Sequence, residues 1–332
     1  MRPTELKDYL QFTINNNFPM LIKGAPGIGK SDIVEQTAEK TGAKLIISHP
    51  VVSDPTDYKG LPFPTANGKA DFLPYGDLDQ IMSATEKTIF FLDDLGQASP
   101  SVQAACMQLL LARRINGHKV SDLVTFVAAT NRREDKAAVT GLLEPVKSRF
   151  ISIIQLDAHA DDWILWAYDN KMPLELIAFI QWQPDIIKAF KPSKDLINSV
   201  CPRTIAAVGK QQAANLPEIY QVEAFTGAAG EDFARAYIAF LSICNTLPML
   251  ENILKNPKSA SIPSDPSTLY AVTCSLANKM NDENIDRIFI YLKRLPEEMS
   301  AACVQGAAAK NKNICNNHAF INWTTQHAKL VS

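Results

Sequence analysis

The stretch that decides the fold is Gly24-Ala25-Pro26-Gly27-Ile28-Gly29-Lys30-Ser31, which fits the pattern G-x-x-x-x-G-K-[ST] at every fixed position. A short apolar run precedes it at 19–23, and a segment with helical spacing follows it at 31–40. Strand, glycine loop and helix allow consecutive backbone N–H groups to turn inward onto phosphate oxygens. These eight residues are therefore predicted to bind a nucleoside triphosphate, with Lys30 at the β- and γ-phosphates and the Ser31 hydroxyl on Mg²⁺.

A second diagnostic stretch is 88–94, where four apolar residues run into two acids, Asp93 and Asp94. This is the pattern of a buried parallel strand whose carboxyl end meets the ligand. Asp93 is predicted to hold Mg²⁺ directly or through water, and Asp94 to orient or deprotonate the attacking water. Adjacent carboxylates are costly to bury unless a cation or hydrogen bonds compensate. The alternative interpretation is an exposed acidic turn.

The remaining pattern predicts an α/β unit followed by helices. Apolar segments at 44–48, 123–130 and 150–155 alternate with helical spacing, which is typical of a parallel sheet, here of about five strands. A helix is expected from about Ala137 to Lys147. Three regions are predicted: an α/β nucleotide-binding domain at 1–156, a helical lid at 157–255, and a C-terminal helical region at 256–332.

Two hairpins are predicted inside the α/β unit. The irregular stretch 49–80 is rich in proline and glycine and contains Asn67-Gly68, a turn signal. Asn116-Gly117 gives the same signal within 113–120.

The composition is that of a globular protein, with 332 residues, 46% of them apolar, and a net charge of −2. This charge gives no overall attraction to nucleic acid or acidic lipid, which disfavours those partners. There is no N-terminal apolar segment and no run of about 18 apolar residues, so a cytoplasmic protein without membrane insertion is expected. The six cysteines form no C-x-x-C pair, which argues against a zinc knuckle and a disulfide framework.

In the order of its motifs the chain resembles an AAA+ ATPase, and within that superfamily it is similar to the MoxR branch, which also contains gas-vesicle and carboxylase-activating ATPases. The resemblance rests on 24–31, 54–60, 72–78 and 142–150, and it covers roughly residues 1–240. It implies a P-loop NTPase fold: a parallel five-stranded sheet with helices on both faces, then an all-α lid and a C-terminal helical region. ATP and Mg²⁺ are the implied cofactors.

The resemblance also implies roles for three polar residues. Asn131 matches the sensor-1 asparagine, which helps to hold the attacking water near the γ-phosphate. Arg149 matches the arginine finger, which acts on nucleotide held by the neighbouring subunit. Arg203 matches the sensor-2 arginine, which is carried by the lid. The two predicted hairpins match elements that point toward the central pore in related ATPases.

Each role has a simpler alternative. Asn131 could be a strand-end turn former, and Arg203 could be a surface residue. Arg149 could pair with Glu144 or with a helix C-terminus. The arginine acting on the neighbour could instead be one of two residues, Arg132 or Arg133.

The expected function is that of an ATPase forming a homo-oligomer, a hexameric ring or a spiral, that remodels or helps to assemble a client protein complex. A von Willebrand factor A-type partner is implied by the resemblance only. The family usually has glutamate where this chain has Asp94, and misplacement by about 1 Å can cost on the order of 100-fold in rate. Slow hydrolysis is therefore expected. The alternatives are an ATP-switched structural oligomer and a nucleic-acid motor.

Overall fold

The computed structural model describes residues 1–135, 141–192, 196–245, 247 and 249–328. The chain divides into two compact units, Met1–Ala158 and a second one that begins at His159. The predicted subdivision of the helical part at residue 255 stays a prediction. None of the helices within these described ranges is long and apolar enough to cross a membrane.

The first unit is built on a five-stranded parallel sheet, whose strands are β1 (Met20–Lys23), β2 (Lys44–Ser48), β5 (Thr88–Leu92), β8 (Val124–Thr130) and β9 (Ser152–Gln155). The strand order in the sheet is β2-β5-β8-β1-β9. Two antiparallel hairpins lie outside the sheet, β3 (Leu61–Pro64) with β4 (Ala70–Leu73), and β6 (Arg114–Ile115) with β7 (His118–Lys119). The predicted parallel sheet and both predicted hairpins are confirmed.

Six helices are described in the first unit: α1 (Pro3–Asn15), α2 (Lys30–Thr41), α3 (Pro55–Lys59), α4 (Gly76–Met82), α5 (Pro100–Ala112) and α6 (Glu144–Lys147). Of the helix predicted from about Ala137, the described part is α6 alone, because 136–140 lie outside the described residues. Ser99 caps α5, its hydroxyl accepting from the Val102 N–H, and Pro100 occupies the first helical position.

The core of this unit lies along the two central strands. All residues of β5 and β8 are buried, as expected for parallel strands covered on both faces. Phe90 and Phe126 meet edge to face at a centroid distance of 5.9 Å, and α5 packs over them through Val102 and Leu109. This packing fixes the carboxyl ends of β5 and β8, where the polar residues follow.

The second unit is helical in its described residues. Its helices are α7 (Ala160–Asp169), α8 (Leu174–Trp182), α9 (Pro202–Ala213), α10 (Glu218–Ala229), α11 (Glu231–Asn245), α12 (Met249–Lys255), α13 (Pro266–Lys279), α14 (Ile285–Leu292), α15 (Glu297–Lys310) and α16 (His318–Gln326). The Glu175 carboxylate on α8 accepts from Asn278 on α13 at 2.8 Å and from Gln212 on α9 at 3.3 Å. Helices on both sides of residue 255 are thus joined by hydrogen bonds.

We expect Phe90→Ala to destabilise the first unit by about 3–5 kcal/mol, because it removes a fully buried ring and leaves a cavity. The matched control is Phe63→Ala, which truncates a ring that is 57% exposed and should change the unfolding free energy by no more than about 0.5 kcal/mol. Urea unfolding followed by circular dichroism measures both. Equal shifts in the two variants would contradict the assigned core.

Candidate functional site

The glycine loop connects the end of β1 to the start of α2. The Gly24 N–H donates to the Thr130 carbonyl at 3.2 Å, which ties the loop to the end of β8. Gly27 and Gly29 have φ values of +71° and +92°, in the left-handed region that side chains other than glycine rarely adopt. A Cβ on Gly24 would lie 2.4 Å from Ile28 Cδ1, so the loop also has no room for one there.

Lys30 folds its side chain back into this loop. It is only 7% exposed. Its ammonium donates to the carbonyls of Gly24 at 3.2 Å and Ala25 at 3.1 Å, and to Oδ1 of Asn131 at 2.7 Å. The predicted loop lysine and the predicted strand-end asparagine are therefore in direct contact. Three oxygen acceptors offset the cost of burying the charge.

Ser31 and Asp93 meet as the metal-site prediction requires. The Ser31 hydroxyl donates to Oδ2 of Asp93 at 2.7 Å, and the Asp93 N–H donates to the Ser48 carbonyl at 2.9 Å. A hydroxyl and a carboxylate are oxygen ligands of the kind that Mg²⁺ takes in proteins. Within the described residues no group of three or more His, Cys, Asp or Glu forms a metal cage. The two ligands thus fit a nucleotide-bound Mg²⁺ better than a site made by protein alone.

Asp94 lies at a strained position directly after β5. Its φ is +54°, and its Oδ1 accepts from Nδ2 of Asn131 at 3.2 Å. The Asn131 amide therefore bridges two predicted site residues, since its oxygen accepts from Lys30 while its nitrogen donates to Asp94. Asp94 is partly buried and hydrogen-bonded, so the alternative of a freely exposed acidic turn does not describe it.

Arg149 lies directly after α6 and before β9. Its Nε is buried and has no hydrogen-bond partner in the described part of the chain. Glu144 forms an ion pair with Lys147, not with Arg149. Arg132 donates to both carboxylate oxygens of Asp135 at 2.8 Å, an ion pair that raises the pKa of Arg132.

Arg203 is the second residue of α9, and its side chain is exposed. It belongs to the second unit, whereas the other predicted site residues belong to the first. Its role stays a prediction.

Sequence reasoning missed Ser48, whose backbone carbonyl accepts a hydrogen bond from the Asp93 N–H. The Ser48 hydroxyl is also 2.9 Å from the Tyr58 hydroxyl, and burial raises the pKa of Tyr58 to about 12. A polar residue at the end of β2, beside the acidic end of β5, was the available signal. The contact with Tyr58 could not be foreseen, since α3 follows β2 through an irregular loop.

Sequence reasoning also missed the link between the hairpins. Asn116, in the turn of β6–β7, donates to the Lys59 carbonyl at 2.8 Å. His118 Nε2 donates to the Phe72 carbonyl at 2.7 Å. The His118 bond therefore joins the two hairpins, and the Asn116 bond joins the β6–β7 turn to the end of α3.

Comparison with known proteins gives a family match for the first unit. Residues 19–150 match the model of the AAA domain, dynein-related subfamily. Midasin of Giardia intestinalis is 26% identical over 190 residues, which is 54% of this chain and 4% of midasin. This chain thus spans a small fraction of that relative's length.

Solved structures of Thermotoga maritima RuvB are also similar. The structure of RuvB described as a Holliday junction branch migration motor has a TM-score of 0.40 at 15% identity, over 88% of this chain and 86% of that chain. A RuvB mutant has a TM-score of 0.42 at 15% identity, over 88% and 87%. Scores of this size support no conclusion about this chain. The match of residues 19–150 to the AAA domain model and the five-stranded parallel sheet with its flanking helices stand independently of these scores, and both fit a P-loop nucleotide-binding fold.

Proposed function

We propose that this protein is a Mg²⁺-dependent ATPase of the MoxR-like AAA+ type, which oligomerises and uses ATP binding and hydrolysis to remodel or help assemble a client protein complex. The observation that carries the proposal is the hydrogen-bonded set at the carboxyl ends of three strands. Lys30 contacts Asn131, Asn131 contacts Asp94, and Ser31 contacts Asp93. A phosphate-binding loop, a metal-binding pair and a water-orienting pair are thereby within one network.

The contacts suggest how nucleotide changes this network. Lys30 now donates to two loop carbonyls and to Asn131. The β- and γ-phosphates offer it stronger acceptors, because hydrogen bonds between ionised groups are roughly twice as strong as neutral ones. If Lys30 turns to the phosphates, the Asn131 amide oxygen would be released. Asn131 and Asp94 would then orient the attacking water, and Asp94 would accept its proton as the water oxygen bonds to the γ-phosphorus and ADP leaves.

Ser31 and Asp93 would hold Mg²⁺, which would supply positive charge to offset the negative charge that develops on the phosphates during transfer. Their present hydrogen bond sets the two oxygens side by side. Because Asp93 is also held through its backbone by β2, its carboxylate is positioned before nucleotide arrives. Little rearrangement is needed to form the metal site.

Oligomerisation is proposed from Arg149. Its buried Nε lacks a partner in the described residues, while Arg132 is fully engaged with Asp135. Of these two, Arg149 is therefore the better candidate for the arginine that acts on the nucleotide of a neighbouring subunit. The side chain of the remaining candidate, Arg133, lies outside the described residues. The subunit number, a hexameric ring or a spiral, rests on the resemblance alone.

Client contact is proposed for the β3–β4 hairpin. Leu61 and Phe63 lie on one face of β3, and Leu73 pairs with Leu61 across the hairpin. These three apolar side chains are 48%, 57% and 48% exposed, respectively. Such a patch suits apolar segments of a client protein. A von Willebrand factor A-type partner is proposed only by the resemblance.

The second candidate is an ATP-switched structural oligomer in which hydrolysis is incidental. One observation favours it: Asp94 is shorter than glutamate and its Oδ1 is already hydrogen-bonded to Asn131. A carboxylate held back from the attacking water would allow tight ATP binding with slow turnover. The two candidates share the binding site and differ in the rate.

We expect Lys30→Met to weaken ATP binding by roughly 10- to 100-fold, since hydrogen bonds to charged groups contribute about 1.5–3 kcal/mol. The matched control is Lys40→Met on the same helix, where the ammonium is exposed and 3.7 Å from Asp8. Titration with a fluorescent ATP analogue measures both. If Lys30→Met binds ATP as tightly as the wild type does, the assignment of the glycine loop as the ATP site is wrong.

We expect Arg149→Ala to bind ATP normally but to lose turnover by about 1,000-fold or more, the usual contribution of an arginine finger. Turnover per subunit of the wild type should rise with protein concentration. Arg235→Ala is the control, because its guanidinium is exposed and pairs within α11 with Glu231. Concentration-independent activity with a silent Arg149 mutation would show that the active site is not shared between subunits.

We expect Asp94→Glu to raise ATP turnover by about tenfold, because the longer side chain recovers much of the reach lost at this position. Asp94→Asn is the control; it keeps the side-chain length and removes the proton acceptor, so turnover should fall to background. Both are read from phosphate release at saturating ATP. Turnover in Asp94→Glu at or below that of the wild type would mean that Asp94 does not limit the rate.

A further inference from the structure

Apolar side chains are exposed at the β9 edge of the sheet in the first unit, beside the buried strand β1. The chain must cross over β1 on its way from β8 to β9, and the only α-helix described in that connection is the four-residue α6. Ile153 lies beside Leu21 in the register of β9 and β1. Ile153 is 42% exposed, and Ile151, just before β9, is 56% exposed. The edge of the sheet at β9 thus presents two half-exposed apolar side chains.

A cavity of about 370 Å³ lies over this face. Leu21, Leu142 and Ile153 form its apolar part, and three cationic residues line it as well: Lys23, Arg132 and Lys147. Small-molecule sites are concave, mostly apolar, have a few polar groups, and measure roughly 300–1,000 Å³. The cavity is therefore of the size and character of a ligand site.

The cations of the cavity differ in what they contact. Arg132 is held by Asp135, and Lys147 by Glu144. Glu134, the acid among the described lining residues, lies 3.7 Å from Arg132. The Lys23 ammonium forms neither an ion pair nor a side-chain hydrogen bond with any described residue. A ligand with a negative group would provide the partner that Lys23 lacks.

We propose that this cavity binds a small amphipathic anion, with an apolar or aromatic body against Leu21 and Ile153 and a carboxylate, sulfonate or phosphate group at Lys23. The site is separate from the nucleotide site, since neither Lys30 nor Ser31 is among the described residues that line it. The ligand need not be a nucleotide. Its recognition requires only charge at one end and apolar surface at the other.

The cavity shares a wall with the nucleotide site. Asn131 is one of its lining residues, and the side chain of Asn131 joins Lys30 to Asp94. A ligand that shifts the end of β8 would therefore change ATP turnover. This consequence rests on the proposed function, whereas binding to the cavity does not.

The test uses 8-anilinonaphthalene-1-sulfonate as the probe, in fluorescence titrations of the full chain. Lys23→Met should weaken its binding by about tenfold, because it removes one charge-assisted contact. Lys69→Met, which removes an exposed lysine on the β3–β4 hairpin, should leave the affinity unchanged. Uncharged N-phenyl-1-naphthylamine should bind wild type and Lys23→Met equally.

A second variant addresses the apolar part of the cavity. Ile153→Glu introduces a charge at a half-exposed position, so folding is retained, and it should weaken both probes. Equal sulfonate affinity in wild type and Lys23→Met would overturn the proposal, as would displacement of the probe by saturating MgATP. Because Lys30→Met should weaken MgATP binding and leave the probe bound, failure of this proposal is distinguishable from failure of the ATPase proposal.

Discussion

The site depends on one buried charge, the ammonium of Lys30. A buried cation is costly unless oxygen acceptors surround it, and here the loop carbonyls of Gly24 and Ala25 and the Asn131 amide supply them. Those acceptors can only be in place if the glycine loop turns back over the end of β1. The charge thus stabilises the loop conformation, and the loop conformation aims backbone N–H groups at an anion. Phosphate then enters a site whose shape is already formed.

The strand order explains why the partners of Lys30 come from distant parts of the sequence. β1 lies between β8 and β9, so the loop that follows β1 meets the residue that follows β8, Asn131. β5 lies on the other side of β8, which brings Asp93 and Asp94 to the same edge. Buried packing between Phe90 and Phe126 holds those two strands in register. Core packing therefore sets the distances on which the polar network depends.

Much of this was predictable from the sequence because the signals are local. A few consecutive residues are enough to predict the conformation of the glycine loop, of the acidic strand end and of the two Asn-Gly turns. The alternation of apolar strands with helices predicts the parallel sheet. Long-range contacts were not predictable in this way. The bond from His118 to the Phe72 carbonyl, like the contact between Ser48 and Tyr58, depends on how irregular segments pack after the sheet has formed.

The β8–β9 crossover is described only in part. The helix predicted from about Ala137 to Lys147 is represented by α6, because residues 136–140 lie outside the described residues. Pro145 in the first turn of α6 suits the start of this helix, since proline is favoured at a helix N-terminus. The described residues that line the proposed ligand cavity come from β1, the end of β8, the stretch that joins β8 to α6, α6 itself and β9, so no short sequence motif marks the cavity.

In the proposed function, binding and hydrolysis depend on different residues of this site, which decides how the two functional candidates relate. Lys30, Ser31 and Asp93 would serve binding. Asp94, which would act on the attacking water, occupies a left-handed backbone position with a φ of +54°, where aspartate is tolerated better than most residues because its short side chain bonds locally. The turn after β5 therefore favours aspartate at position 94, whereas hydrolysis would favour the longer side chain of glutamate there. Under the proposed function, a chain with this turn would bind ATP firmly and still hydrolyse it slowly, so the two functional candidates differ by the reach of the Asp94 carboxylate.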